Sequence, residues 1–243
     1  ERHPIRHVIG GSKTEMAYHL LSERSGSFLV TGFSESWTDD ERDAFILRVD
    51  ANGRELRRTR YGDARSNIGF VLREHGDGYV MAGWSTDSEE RPLIVRIDRE
   101  GRQLAAHDIS TPASARATDL RMLPGGDYLL AGQMADSRDS LEAMVWRTDS
   151  AGKLRWQARL GGPGTDRGFA IDVNEAGEVI LVGLTTSSPA LAQDVLVAKL
   201  DLHGNLLWRK VLGGAGYQTG HSVIWGRNGT ALVTGYGIIE FHQ

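Results

Sequence analysis

The sequence predicts an all-β protein of the β-propeller class, with five four-stranded blades in a single domain spanning residues 1–243. Two markers that recur in step along the chain predict it. A short apolar run that ends in glycine occurs five times, at Gly32, Gly83, Gly132, Gly183 and Gly235. An apolar run that ends in Asp-x-x-Gly occurs four times, at Asp50, Asp98, Asp149 and Asp201. Both markers repeat about every 50 residues, which is the length of one antiparallel propeller blade.

The fourth repeat shows the predicted order of strands and turns most clearly. Strand A covers 168–173, strand B covers 178–182, strand C covers 195–200 and strand D covers 206–212. A polar loop over 185–193 joins strands B and C. In the Asp201–Gly204 turn, the Asp side chain can accept backbone N–H bonds while the glycine takes a positive φ, a combination that closes a C–D hairpin.

The repeat boundaries predict how the ring closes. The repeats cover about 10–61, 62–109, 110–160, 161–212 and 213–243, with 1–9 added to the last. Residues Ile5–Ile9 run into Gly10-Gly11 in the same way that strands D run into Gly161-Gly162 and Gly213-Gly214. We therefore predict that Ile5–Ile9 is strand D of the fifth blade and that Ile238–Phe241 supplies its strand C, which would leave no free edge.

Repeat chemistry also sets expectations for glycine and tryptophan. We expect Gly183 and Gly204 to hold positive φ, so that a β-branched substitution at either costs about 1–3 kcal/mol. Four tryptophans fall on predicted strands, where a large ring packs between blades: Trp146, Trp156, Trp208 and Trp225.

The repeat resembles the bacterial β-propeller repeats of secreted and cell-envelope proteins. The phrases that carry this resemblance are Asp43-Ala-Phe45, Gly152-Lys-Leu-Arg-Trp156 and Gly204-Asn-Leu-Leu-Trp208. The resemblance implies a binding or scaffold module without an assigned catalytic set, and a periplasmic or extracellular location. Kelch repeats share the period but place a glycine pair after strand B, where this chain has one glycine. Quinoprotein propellers are more distant relatives.

Composition narrows the classes of function. The chain has 243 residues, a formal net charge of −4 and no cysteine. The absence of cysteine excludes disulfides, thiolate metal sites and cysteine nucleophiles. Because basic residues do not outnumber acidic ones, the charge also argues against nucleic-acid binding. No apolar run approaches the roughly 18 residues of a membrane span. We expect no cofactor, and we expect the isolated domain to be a monomer.

The candidate binding residues lie on one predicted face. In a blade, the B–C loops and the D–A connections emerge together, and here they are long and varied, whereas the A–B and C–D turns are short. Trp37 is an aromatic residue in a polar B–C loop. Arg116 and Arg167 occupy equivalent positions at the starts of strands A, where together they could hold a carboxylate or a phosphate. The D–A connections add Arg65, Tyr217 and Gln218.

Two other kinds of site stay open. Strands A line the central channel of a propeller, and counting back seven residues from each A–B turn gives His19, Phe70, Asp119, Ala170 and Ser222, with His221 adjacent. A His19, Asp119 and His221 group would suit zinc or another divalent metal. A five-bladed glycoside hydrolase would need paired carboxylates, for which Glu15, Asp119 and Asp166 are the candidates.

These observations favour a non-catalytic propeller. We expect it to present its B–C and D–A loops to a protein or polysaccharide partner in a bacterial envelope or extracellular setting. The alternatives are a glycoside hydrolase-like enzyme and a propeller that holds a metal or redox cofactor in its channel.

Overall fold

The chain forms consecutive antiparallel sheets, and the computed structural model describes residues 7–36, 41–62, 65–136, 140–187 and 193–238. Blade 1 comprises β1 (Glu15–Ser22), β2 (Phe28–Ser34), β3 (Asp43–Val49) and β4 (Glu55–Tyr61). Blade 2 comprises β5 (Ser66–His75), β6 (Gly78–Thr86), β7 (Glu90–Asp98) and β8 (Gln103–Asp108). These two blades belong to a compact unit, Glu1–Asp108.

A second compact unit, Ile109–Gln243, contains the remaining sheets. Blade 3 comprises β9 (Ala115–Met122), β10 (Tyr128–Ala135), β11 (Leu141–Thr148) and β12 (Leu154–Arg159). Blade 4 comprises β13 (Asp166–Val173), β14 (Val179–Thr185), β15 (Asp194–Leu200) and β16 (Leu206–Leu212). Within the described residues, blade 5 has two strands, β17 (Tyr217–Trp225) and β18 (Ala231–Ile238), joined by a 3-10 turn at Arg227–Gly229.

Meander order holds in blades 1 to 4, so the four strands of each are A, B, C and D as the sequence predicts. The Asp-x-x-Gly turns have the predicted chemistry. The Asp201 carboxylate accepts the backbone N–H groups of His203 and Asn205 at 2.8 and 2.9 Å, and Gly204 has a φ of 86°. Asp50 and Asp149 accept the corresponding bonds in blades 1 and 3.

The strand B glycines have a different role from the predicted one. Each strand A carries a β-bulge, and the bulged residue of β13 is Phe169, between Gly168 and Ala170. Opposite this bulge a Cβ on Gly183 would overlap the carbonyl oxygen of Arg167. Gly183 does not have a positive φ, so that expectation is wrong; close approach of the strand A backbone is what excludes a side chain there. Strand β14 also continues past Gly183 to Thr185 instead of ending at it.

The same overlap recurs in the other blades. A Cβ on Gly32, Gly83, Gly132 or Gly235 would meet a strand A carbonyl in the same way. The bulges also correct the residue count along strand A. Phe70 is the bulged residue of β5 and is equivalent to Tyr18, Phe169 and His221, so the predicted equivalence of Phe70 with His19 is off by one position.

The core lies between consecutive sheets. In the first unit, Leu29 and Ile46 of blade 1 pack with Met81 and Val95 of blade 2. In the second unit, Leu129 and Val145 of blade 3 pack with Leu181 and Leu196 of blade 4. Strands B have both faces covered, so β14 is buried along its whole length.

An arginine on strand C links two neighbouring blades at the end where the A–B and C–D turns lie; this pair of bonds is called a clasp below. Arg147 donates to the carboxylate of Asp127 in its own blade and to the carbonyl of Leu202 in the C–D turn of blade 4, both at 2.9 Å. Arg48 makes the equivalent pair of bonds to Glu23 at 3.0 Å and to the Arg99 carbonyl at 3.2 Å. Each clasp ties a blade to the C–D turn of the next one.

The predicted closure by the N-terminal segment is only partly covered by the described residues. Of the predicted strand D, Ile5 and Arg6 lie outside them, and residues 7–9 are described but form no strand. Of the predicted strand C, Ile238 is the last residue of β18, and 239–241 lie outside the described residues. Ile9 packs against Phe45 and Leu47 of β3. Leu160 at the equivalent place after β12 packs with Leu196 of the next blade. The closed five-bladed ring stays a prediction.

Candidate functional site

The loop ends of blades 1, 4 and 5 are braced by the side chain at or near the start of strand A. Asp166 accepts hydrogen bonds from the Gly162 N–H at 2.7 Å and from the Ser187 hydroxyl at 2.8 Å. Gln218 accepts from the Gly214 N–H at 3.3 Å and donates to the Ala215 carbonyl. These residues hold the glycine pair against the B–C loop, so they shape the face on which the loops stand.

Glu15 braces blade 1 in the same way. Its carboxylate accepts from the Ser34 hydroxyl at 3.1 Å. A hydrogen bond from Ser36, which outweighs the effect of desolvation, holds the pKa of Glu15 below its usual value. The carboxylate therefore stays ionised at neutral pH, which suits a structural acceptor and not a general acid.

The side chain of Asp119 is buried and makes an ion pair and hydrogen bonds with its neighbours. It forms an ion pair with Arg121 at 3.0 Å and accepts the backbone N–H of Ile171, in strand A of blade 4, at 3.1 Å. Arg121 continues to Asp172 at 3.0 Å, and Asp172 accepts the N–H of Trp225 in blade 5 at 2.7 Å. This ladder of carboxylates links the inner strands of blades 3, 4 and 5.

Beneath the loop face, Asp166 lies beside a second carboxylate, Glu142, which sequence reasoning missed. An oxygen of Glu142 and an oxygen of Asp166 each lie 2.5 Å from the position that a Cβ on Gly161 would take, so these two oxygens are at most 5.0 Å apart. Both side chains are buried, with exposed fractions of 7% and 0%. A sequence signal for Glu142 does exist. An acidic residue stands at or next to the start of strand C in blades 1, 3 and 4, as Asp43, Glu142 and Asp194.

The proposed metal ligands have separate surroundings. His19, in the first unit, has its Nε2 2.5 Å from the guanidinium of Arg73. His221, in the second unit, stacks between the rings of Phe169 and Tyr236 at 5.2 and 5.3 Å. Within the described ranges, no group of three or more His, Asp or Glu side chains is placed to hold a metal ion.

Arg116 and Arg167 occupy equivalent register positions on β9 and β13, each one residue before the residue that faces the strand B glycine. Both are partly buried. The Nε of Arg167 is buried and has no hydrogen-bond partner among the residues that the structure describes. A buried guanidinium N–H without an acceptor is costly, and a carboxylate or phosphate oxygen would satisfy it.

The other predicted binding residues are placed unequally. Arg65 forms an ion pair with Asp108 at 2.5 Å, so its charge is already neutralised within blade 2. Tyr217 is 53% exposed at the start of β17. Gln218 is the brace described above, and Trp37 lies outside the described residues.

Comparison with known proteins bears on the fold. No protein-family model matches the chain, and no curated protein matches it. Among solved structures, the endo-arabinase of Bacteroides thetaiotaomicron is similar with a TM-score of 0.57 and 9% identity, over 93% of this chain and 94% of that one. The GH93 α-L-arabinofuranosidase of Fusarium graminearum is similar with a TM-score of 0.56 and 15% identity, over 88% of this chain and 73% of that one.

The fold is a β-propeller. A protein of unknown function from Bacteroides caccae is also similar, with a TM-score of 0.53 and 17% identity over 85% of this chain. This chain spans 64% of the length of that protein. Similarities at such low sequence identity indicate a shared fold and do not indicate a shared activity. In the described part of this propeller, no helix is long and apolar enough to cross a membrane.

Proposed function

We propose that this propeller is a non-catalytic binding module that presents its B–C and D–A loop face to a polysaccharide or protein partner. One observation carries the proposal: Glu15, Asp119 and Asp166, the three carboxylates that the sequence offers as catalytic candidates, are all engaged in bracing the blades. A catalytic acid must reach a substrate proton, and a carboxylate that holds its own backbone is committed to structure.

The arginines favour a partner that carries carboxylates. Arg116 and Arg167 lie at equivalent positions on strands that pack against each other, and guanidinium groups bind carboxylates with two parallel hydrogen bonds. Tyr217, exposed on β17, adds an aromatic surface of the kind that packs on sugar rings or apolar side chains. An acidic polysaccharide meets both requirements, and an acidic loop of a protein is the other candidate. A bacterial envelope or extracellular location belongs to this proposal.

Hydrolysis of a polysaccharide is the second candidate function. The similar structures include an endo-arabinase and an α-L-arabinofuranosidase. The Glu142 and Asp166 oxygens form a carboxylate pair at most 5.0 Å apart, and paired carboxylates are what glycoside hydrolysis requires. Burial weighs against it, because neither carboxylate is accessible enough to contact a sugar.

One experiment separates the two functions. Affinity electrophoresis with polygalacturonate and with linear arabinan measures binding, and a reducing-sugar assay on the same mixtures measures cleavage. We expect retention by polygalacturonate without release of reducing ends, and about tenfold weaker retention of Arg167→Gln. Arg155→Gln is the matched control, since it removes one charge from an exposed site on β12.

Release of reducing ends by the wild type, abolished in Glu142→Gln, would overturn the proposal in favour of hydrolysis. Equal retention of Arg167→Gln and Arg155→Gln would show that the loss of charge alone, and not the Arg167 site, governs binding.

A further inference from the structure

Blade 3 differs from the other blades at two positions near the loop end of strands A and B. The first position is the bulged residue of strand A, and the second is the residue that follows the strand B glycine. In blade 3 these residues are Thr118 and Gln133. Arg116, two residues before the bulge, stands directly opposite Gln133 in the register of the two strands.

In the other blades the same two positions hold rings or other large hydrophobic side chains. The bulged residue of strand A is Tyr18, Phe70, Phe169 or His221. The residue that follows the strand B glycine is Phe33, Trp84, Leu184 or Tyr236. The repeat therefore requires no polar side chain at either position, and the fold alone does not account for Thr118 and Gln133.

The side-chain oxygen of Gln133 is buried without a hydrogen-bond donor. The residue is 8% exposed, as is Leu184 at the equivalent position of blade 4. Its Oε1 atom is buried and accepts no hydrogen bond from the part of the chain that the structure describes. A buried acceptor without a donor destabilises a protein, so in a native structure it calls for a water or a ligand.

The surroundings of Gln133 provide room and positive charge. At the strand A bulge, Thr118 has a smaller side chain than the rings of the other blades, and its hydroxyl donates to the Gly168 carbonyl at 2.8 Å. Arg116 lies on the same face of the sheet as Gln133, because residues directly opposite each other on antiparallel strands point to the same side. An arginine has five N–H donors, more than one partner in the protein uses.

We propose that Gln133 and Arg116 form a subsite that recognises a sugar acid. A ring hydroxyl of the sugar donates to Oε1 of Gln133, and the sugar carboxylate accepts from the guanidinium of Arg116. The subsite rests on the proposed function, since it requires that the loop face binds an acidic polysaccharide. It adds the residue that distinguishes a sugar acid from other carboxylates.

The chemistry of the pair favours a sugar acid over simpler ligands. A carboxylate alone would bind Arg116 and would leave Oε1 of Gln133 without a donor. In a sugar acid the carboxylate and the hydroxyls stand on one rigid ring, so both bonds form without the ordering of a flexible loop. A water would also satisfy Oε1, and in that case substitution of Gln133 would leave ligand binding unchanged.

Replacement of Gln133 by the residue of blade 4 separates these cases. Gln133→Leu removes the buried acceptor and introduces a side chain that the repeat accepts at this position. We expect an equal or higher melting temperature, and about tenfold weaker retention by polygalacturonate in affinity electrophoresis. Retention equal to that of the wild type would overturn the proposal and leave the proposed function intact.

Two further variants keep this result interpretable. Gln133→Met has nearly the length of the wild-type side chain, and we expect the same loss of retention even if Gln133→Leu lowers the melting temperature. Leu184→Met is the matched control at the equivalent position of blade 4, and we expect it to retain wild-type binding. An equal loss in Leu184→Met would assign the effect to packing and would overturn the proposal.

Two small acids test the hydroxyl directly. D-Galacturonate and cyclohexanecarboxylate both carry a carboxylate on a six-membered ring, and only the first has ring hydroxyls. In chemical-shift titrations of ¹⁵N-labelled protein, we expect the wild type to bind D-galacturonate about tenfold more tightly, and Gln133→Leu to lose this preference. Equal preference in the two proteins, or binding of neither acid by the wild type, would overturn the subsite.

The titrations also separate the two proposals. Absence of wild-type retention by polygalacturonate would contradict the proposed function. The preference of the wild type for D-galacturonate, and its loss in Gln133→Leu, would still decide whether the subsite exists.

Discussion

Among the residues that the structure describes, blades 3 and 4 meet at a closed seam, whereas blades 4 and 5 meet at an open one, although similar residue types line both. Trp156 at the closed seam donates to the Leu202 carbonyl and contacts Gly204. Trp208, its equivalent, faces a cleft. Leu160 is 2% exposed and its equivalent Leu212 is 50% exposed. The repeat sequence of a blade therefore does not bury itself, because the C–D hairpin of the following blade completes the core.

The largest expected effect comes from the glycines that face the strand A bulges. Gly183→Val would drive its side chain into the Arg167 carbonyl inside a four-stranded sheet, and we expect a loss of about 3 kcal/mol or more in the free energy of unfolding. Gly235→Val meets the Thr219 carbonyl in the same way. Since blade 5 has two strands within the described ranges and can shift more easily, we expect a smaller loss.

Urea denaturation measures both glycine variants. A loss at Gly235 equal to that at Gly183 would show that blade 5 is as constrained as blade 4, and the contrast between the two seams would fail.

The tryptophan pair has the next largest effect on stability. Trp156→Ala removes a half-buried ring and its hydrogen bond at the closed seam, and we expect a loss of about 2–3 kcal/mol. Trp208→Ala should change the free energy of unfolding by less than about 0.5 kcal/mol, since the ring is 36% exposed and no C–D turn of the described part of the chain packs against it. Similar losses for the two variants in chemical denaturation would contradict the contrast.

Glycines with positive φ refine the comparison. Gly204→Ala and Gly229→Ala both place a side chain at a positive φ, 86° and 70°, which costs about 1 kcal/mol. At Gly204 the new Cβ also meets the Trp156 ring at 2.8 Å, whereas nothing lies within 4 Å at Gly229. We expect Gly204→Ala to cost about 1 kcal/mol more, measured by denaturation, and to lose this excess in a Trp156→Ala background.

The strand C cations predict a smaller difference. Arg147→Met removes the bonds to Asp127 and to the Leu202 carbonyl, and we expect a loss of about 1 kcal/mol. Lys199→Met removes a partly exposed pair with Glu178 at the open seam and should cost less. Thermal unfolding of both variants at matched ionic strength is the measurement. A larger loss at Lys199 would contradict the proposed difference between the seams.

Acid sensitivity is the smallest effect and arises from the C–D turns. Hydrogen bonds from the Asn205 side chain and backbone hold the pKa of Asp201 below its usual value, and a bond from the Arg54 N–H does the same for Asp50. A lowered folded-state pKa stabilises the protein above about pH 4, and the stabilisation is lost as the pH falls further. Asp201→Asn should flatten the acid limb of the melting temperature against pH, and an unchanged limb would contradict this origin.

The sequence predicts the fold well because the turns carry local chemistry. The Asp-x-x-Gly pattern, as at Asp201–Gly204, specifies a hairpin in each repeat where it occurs. The even spacing of this pattern along the chain predicts the four-stranded sheets. Gly183 shows the limit, since its neighbour is the Arg167 carbonyl on another strand and no local pattern displays that contact. The strand A bulges likewise shift Phe70 by one position in a way that counting residues cannot detect.

Prediction of the candidate site is less complete, because equivalent residues acquire different surroundings. The sequence places Arg116 and Arg167 at equivalent positions, and the register agrees. It cannot show that Asp108 neutralises Arg65, because Arg65 precedes strand A of blade 2 whereas Asp108 ends strand D of that blade. No local sequence pattern displays such a contact. Trp156 and Trp208 occupy the same repeat position and differ in the turn that the neighbouring blade packs against each ring.

Hydrogen exchange at the backbone amides of β18 tests the central claim most directly. The claim is that the contact between blades 4 and 5 is looser than the contact between blades 3 and 4. Faster exchange of β18 than of β14 is the predicted result. Exchange of β18 that is as slow as that of β14 would contradict it.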